Sequence, residues 1–157
     1  MLSQFSGAVL DQQRQHRFLL WRFWDDSPRM LFIGLNPSTA DEYEADPTIR
    51  RCMAFARTWG YGGMYMMNIF AFRTYDPKIL KDAPDPIGPR NDHWLLEIGQ
   101  EAKIIIAAWG VHGAYLGRDK EVRKMLTDLH YLRLTKEGFP SHPLYLSKAL
   151  KPIAWEL

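Results

Sequence analysis

The chain has 157 residues and a formal net charge of +2, enough for one domain that buries roughly 70% of its unfolded surface. The near-neutral balance excludes a chain that binds nucleic acid through bulk basicity, so any such surface has to be a local patch. One cysteine, Cys52, excludes an internal disulfide and cysteine-built zinc or iron–sulfur sites within one chain, and fits a reducing cytosol.

Residues 1–15 are polar and weakly patterned, and predict a short helix or a loose arm. Residues 1–10 show no basic n-region, and no apolar run approaches the roughly 20 residues that span a bilayer. The expectation is a cytoplasmic protein, a monomer, with no membrane association. Residues 16–24 are rich in aromatics and predict a strand. Asp25-Asp26-Ser27-Pro28 is a turn signal, so a hairpin into the next strand is expected, antiparallel and at or near an edge. Residues 30–35 form a short apolar run, the pattern of a strand covered on both faces. Gly34 permits close approach and Pro37 stops the ladder. Asn36 sits between them at the carboxyl end, where open α/β sheets bind ligands. It also reads as a simple turn former.

The loop that follows carries Asp41, Glu42, Glu44 and Asp46. Asp46 is a fitting N-cap and Pro47 a fitting first residue for a helix, with Ile49, Cys52, Met53, Phe55 and Ala56 inward. Residues 64–71 predict a second buried strand containing Asn68, an amide that needs partners or costs about 1–3 kcal/mol. Residues 73–89 form a proline-rich loop with one turn at residues 77–81, and loops this long are often functional. A helix capped by Asn91 or Asp92 runs to residue 102, with Trp94, Leu95 and Ile98 inward. Residues 103–109 read as a parallel-type strand ended by Gly110. A short helix to residue 116, an amphipathic helix over 119–129 and a strand over 131–135 follow. Residues 141–150 begin as a loop and turn helical, and Trp155 packs on the body. Strands alternating with helices predict a single three-layer α/β/α domain with a mainly parallel sheet.

Gly34-Leu35-Asn36-Pro37, Met66-Met67-Asn68-Ile69-Phe70, Ala107-Ala108-Trp109-Gly110 and Ser141-His142-Pro143-Leu144-Tyr145-Leu146-Ser147 stand in that order. Together they resemble the uracil-DNA glycosylase superfamily, most nearly its mismatch-specific uracil/thymine branch, over about residues 29–150. The chain also resembles a bacterial and phage family of unknown function, through Leu35-Asn36-Pro37-Ser38-Thr39-Ala40-Asp41, Asp46-Pro47-Thr48, Gly60-Tyr61-Gly62-Gly63 and His142-Pro143-Leu144-Tyr145-Leu146.

The first resemblance implies an N-glycosidic hydrolase acting on a uracil, thymine or modified pyrimidine by base flipping. Asn36 matches the residue that positions the hydrolytic water, with Asp41 or Asp46 assisting. Asn68 matches the base-reading amide, and His142 the donor to the base carbonyl. Leu146 matches the wedge that fills the vacated stack. Ser38 and Ser147 match positions at the pocket wall and the phosphates. Asn36 replaces a carboxylate and can only orient water. Ser38 replaces a bulky tyrosine and leaves room for a 5-methyl group. Tyr43 and Phe55 are the candidates for the stacking aromatic, and Arg50, Arg51, Arg73 and Lys148 for phosphate contacts. Those basic residues also read as a solvated helix face. His112, after Trp109-Gly110, is a further candidate for the crevice. No cofactor is expected, and the spacing of His112, His142 and Asp41 supports no metal site. A non-catalytic base-binding protein, or an enzyme acting on free nucleotides, are the alternatives.

Overall fold

Four apolar runs of the sequence become adjacent strands in the computed structural model, which describes residues 5–156. The strands are β1 (Ser6–Leu10), β2 (Arg17–Phe23), β3 (Arg29–Gly34), β4 (Gly63–Asn68), β5 (Ile104–Ala107), β6 (Leu129–Tyr131) and β7 (Ile153–Ala154). The helices are α1 (Pro47–Thr58), α2 (Pro77–Asp82), α3 (Asn91–Glu101) and α4 (Arg118–Met125). One seven-stranded sheet has the order β1-β2-β4-β3-β5-β6-β7. The pairs β4–β3, β3–β5 and β5–β6 are parallel, and β1–β2, β2–β4 and β6–β7 antiparallel. The expected mainly parallel sheet is therefore a mixed one, with a parallel centre and antiparallel margins.

The central strands are apolar between their ends because both faces are covered, with Arg29 opening β3 and Asn68 closing β4. Leu31, Ile33, Tyr65, Met67, Ile105 and Ala107 form one core with Leu95 and Ile98 of α3 and Val122 of α4. Met30, Phe32, Met64, Met66 and Ile106 form the other with Ile49, Cys52, Phe55 and Ala56 of α1. Asp46 caps α1 as expected, its Oδ1 accepting from the Ile49 amide at 2.9 Å, with Pro47 in the first turn.

Several expectations need correction. Residues 6–10 are neither helix nor loose arm but strand β1; residues 1–4 of that arm lie outside the described residues. Gly7 makes this pairing possible, since a Cβ there would stand 2.2 Å from the Trp21 ring. No hairpin joins β2 to β3, because β4 lies between them. The Asp25–Pro28 stretch therefore bridges two strand spacings, about 10 Å. β4 enters beneath it on Gly62 and Gly63, where a Cβ would meet Asp25, Ser27 and Phe23 within 3 Å. Asn91 caps nothing and is wholly buried. The helix expected over 119–129 ends at Met125, and Asp128, with φ of +58°, turns the chain so that Leu129 opens β6. Residues 141–150 form no helix, and β7 adds an unforeseen strand to the far edge.

Candidate functional site

The register of the parallel pair β3–β4 sets Gly34 opposite Asn68, at the carboxyl ends of both strands. The missing side chain at 34 is what admits the amide. A Cβ there would lie 3.0 Å from Asn68 Nδ2 and 2.9 Å from the Met66 methyl. Asn68 is 2% exposed, and its Oδ1 accepts a long hydrogen bond (3.4 Å) from Nη2 of Arg17, itself 2% exposed. That bond fixes the polarity of the amide, turning Nδ2, the donor, toward Gly34. The backbone carbonyls of Asn68 and Ile69 accept from Asn91 Nδ2 at 2.8 and 3.2 Å, and that of Ile69 also from Arg118 Nε at 2.8 Å. The strand end is thus tied down from beneath.

Asn36 is oriented in the same manner. Its Nδ2 lies within hydrogen-bonding distance of the carbonyls of Pro37, Phe72 and Thr74, at 3.2, 3.3 and 2.5 Å. Three acceptors on one side leave Oδ1 as the atom turned away from them. The loop after Asn36 is held by arginines through its carbonyls. Arg73 donates to Ser38 and Thr39 oxygens, Arg17 to Ala40, and Arg22 to Asp41 and Glu44. Burial lowers the Arg17 pKa to about 10, opposed by the Asp46 charge, so the guanidinium stays charged at neutral pH. The acidic loop is thereby explained as the counter-charge of these arginines: Asp41 and Asp46 act on both Arg17 and Arg22, and Glu42 pairs with Arg14 at 2.5 Å.

His142 comes from the loop after β6. The Leu144 amide donates to its Nδ1 at 3.2 Å, so in the neutral ring the proton sits on Nε2. Surrounding protein lowers its pKa by desolvation, with the Asp46 charge opposing, although the residue as a whole is exposed. The neutral imidazole with an Nε2 donor is therefore the form near neutrality. Arg51 anchors this loop to α1 by donating to the Leu146 carbonyl.

These groups meet in one cleft of about 350 Å3, lined by Asn36, Ser38, Asn68, His142, Arg17 and Asp46 among others. Ser38 Oγ donates to Asp46 Oδ2 at 3.3 Å on its wall. Tyr75 and Leu144 also line it. Two larger hollows lie elsewhere: about 620 Å3 between the β6 edge and Trp155, and about 590 Å3 near the starts of β3 and β5. Neither includes a residue singled out from the sequence as catalytic or base-binding.

The remaining sequence candidates fall outside the cleft lining. Asp41 closes its own turn, Oδ1 accepting from the Tyr43 and Glu44 amides at 2.9 Å, and those bonds, the Glu44 amide foremost, hold its pKa low against partial desolvation. Tyr43 is exposed on that turn, and Phe55 is core, stacked on Trp59. Leu146, the expected wedge, is 5% exposed and packs in the α1 core. Arg51 and Arg73 are committed to carbonyls, and Arg50 Nη1 to that of Ala45 at 3.3 Å. Ser147 Oγ accepts from the Ala149 amide, and Lys148 lies by Arg51 and Phe55 in a shallow hollow of about 150 Å3. His112 is exposed and does not line the cleft. Among the described residues no group of three or more His, Cys, Asp or Glu could hold a metal ion, and no helix is long and apolar enough to cross a membrane.

Asp46, named from the sequence as an assistant to Asn36, does line the cleft, whereas Arg17 and Tyr75 were not anticipated there. Arg17 had a signal, a charge set in an aromatic strand; Tyr75 had only its position in a long loop. A model of the family described as "Protein of unknown function (DUF1643)" matches residues 17–144, a span that contains every residue named above as lining the cleft. No curated protein matches the chain. No solved structure matches it.

Proposed function

From the premise that the chain belongs to the DUF1643 family, which brings no activity with it, we propose that it is an N-glycosidic hydrolase of the uracil-DNA glycosylase type. Its target is a uracil, thymine or modified pyrimidine nucleotide. On this reading α1 on one face and α3 and α4 on the other make a three-layer α/β/α scaffold around the parallel strands. The observation that carries the proposal is the meeting of Asn36, Asn68 and His142, drawn from three separate segments, in one cleft with their polar atoms pre-oriented.

Asn68 Nδ2 and His142 Nε2 are both donors, which suits a ring presenting carbonyl oxygens and disfavours one presenting an amino group. The glycosidic C–N bond breaks with its electron pair leaving on the base. The negative charge gathers on the carbonyl oxygens, where a donor such as Nε2–H is worth roughly 3–4 kcal/mol of barrier. Asn36 Oδ1 accepts from the water that adds its hydroxyl to the sugar, and the water's other proton passes by way of Asp46 or solvent to the departed base. Ser38 leaves space beside the ring for a 5-substituent.

A second reading, an enzyme acting on free nucleotides, is favoured by one observation: Arg51 and Arg73 donate to the chain's own carbonyls, not outward to phosphates. The test is incubation with oligonucleotides bearing uracil, mismatched thymine or bulky 5-substituted pyrimidines, and with the free nucleotides, followed by alkali cleavage and chromatography of released base. Release from any of the oligonucleotides, lost in His142→Ala, supports the glycosylase; release from nucleotides alone selects the second reading; release from none rejects both.

A further inference from the structure

The loop that carries His142 also carries the chain's most conspicuous exposed aromatic. Tyr145 is 93% exposed and its backbone sits at φ of +75°. A left-handed conformation at a bulky non-glycine residue costs of order 1–3 kcal/mol, and persists only where its surroundings impose it. Here they do. Leu146 is buried against α1, its carbonyl is held by Arg51, and the Leu144 amide is bonded to His142. Leu144 and His142 turn into the cleft and Leu146 into the core, so the residue between them is left facing solvent. Tyr75, 87% exposed, is also part of the cleft lining.

The resemblance leads one to expect an aliphatic wedge and outward cations, the equipment for prising a base from a duplex. The wedge is absent in that form, since Leu146 is core, and the cations are fewer: Arg51 and Arg73 are bound to the chain's own carbonyls, while Arg50 and Lys148 stay exposed. What the chain offers instead is two exposed aromatic faces, Tyr75 in the cleft lining and Tyr145 next in sequence to Leu144, which also lines it. Aromatic faces stack on unpaired bases irrespective of sequence.

We propose that the cleft takes its nucleotide from a single strand, with Tyr75 stacking on the base in the cleft and Tyr145 on the neighbouring base of the same strand. The proposal rests on the glycosylase reading and narrows it, since a duplex would bury Tyr145's partner base in its own stack and a lone nucleotide would have none.

The test is fluorescence anisotropy with short single-stranded and matched duplex oligonucleotides carrying a central uracil, alongside the base-release assay on each. Single strands are expected to bind at least tenfold more tightly than the duplex. Tyr145→Ala is expected to weaken single-strand binding about tenfold (about 1.4 kcal/mol), Tyr145→Phe to restore it, and Tyr145→Gly to weaken it by a similar factor while raising Tm, because glycine accepts the positive φ without strain. That opposite movement of stability and binding is one that a merely structural tyrosine does not produce. Equal or tighter duplex binding, or unchanged binding in Tyr145→Gly with base release intact, overturns the inference and leaves the glycosylase reading standing. Absence of both oligonucleotide binding and base release overturns the two together. Tyr145-dependent dimerisation by sedimentation, with binding unaffected in Tyr145→Gly, assigns the ring to self-association and also overturns it.

Discussion

The hollow beside Trp155 encloses about 620 Å3 and the cleft at the ends of β3 and β4 only about 350 Å3, yet the smaller is the one that gathers oriented polar groups from separate segments. In the larger one, Arg123 lies over the Trp155 ring at 3.8 Å and His130 Nδ1 is 3.0 Å from the Asp128 carbonyl. These contacts are local and leave no converging set of atoms. In the cleft, each polar group is oriented by a hydrogen-bonding partner from elsewhere in the chain or its own loop: Asn36 by three carbonyls, Asn68 by Arg17, His142 by the Leu144 amide. Volume records where elements fail to meet; prearranged donors and acceptors are what distinguish a site.

Breaking the cleft in ways that spare the hollow sharpens this contrast. The largest effect is expected from His142→Ala, which removes the Nε2 donor: base release should fall roughly 10²–10³-fold with Tm unchanged, while His130→Ala, in the hollow, leaves release intact. Next is Arg17→Met. It takes the donor from the Ala40 carbonyl and from Asn68 Oδ1, and urea unfolding should show a loss of about 1–3 kcal/mol, together with poorer discrimination between bases as Asn68 is freed to flip. Arg123→Met, losing only its stacking on Trp155, should cost less than about 1 kcal/mol.

A pH profile gives a smaller but signed effect. His142 titrates below its ordinary value in the folded protein, so the folded state binds fewer protons than the unfolded chain in the window between the lowered value and the usual one near 6.5. Its contribution to stability is complete above that usual value and is lost as pH falls through the window. The acid limb of base release should accordingly lie below pH 6.5, and Asp46→Asn, which keeps a good N-cap but removes the charge that raises His142, should move it lower still. Least affected should be Tyr43→Ala, exposed on its turn, with stability within about 0.5 kcal/mol and release unaltered.

How much of this was legible in the sequence depended on whether the cause was local. The capping of α1 by Asp46 and Pro47, the strand that stops at Gly34 and the apolar runs of β3, β4 and β5 follow from neighbours in the chain. Asn36, Asn68, Ser38 and His142 were found by motif and do share one cleft. What escaped was decided by distant partners. The pairing of β2 with β4 instead of β3 depends on the glycines at 62 and 63 fitting under another turn. The resemblance offers Asp41 as an assistant to Asn36 in placing water, but its carboxylate closes a turn. The resemblance implies a wedge at Leu146, but the side chain that fills the α1 core and the one that meets solvent differ by one residue, and Tyr145, with its left-handed φ, is the exposed one.

The central claim, that the amides at 36 and 68 and the imidazole at 142 address one planar ring, is tested most directly by 15N NMR. Free uracil or thymine would be titrated into labelled protein while the side-chain signals of Asn36, Asn68 and His142 are followed beside those of Trp155 and His130. The expected result is a neutral His142 protonated on Nε2 before addition, and saturable shifts of all three cleft residues with a single dissociation constant. Shifts confined to Trp155 and His130, or cleft residues that move with unrelated constants, would contradict the account.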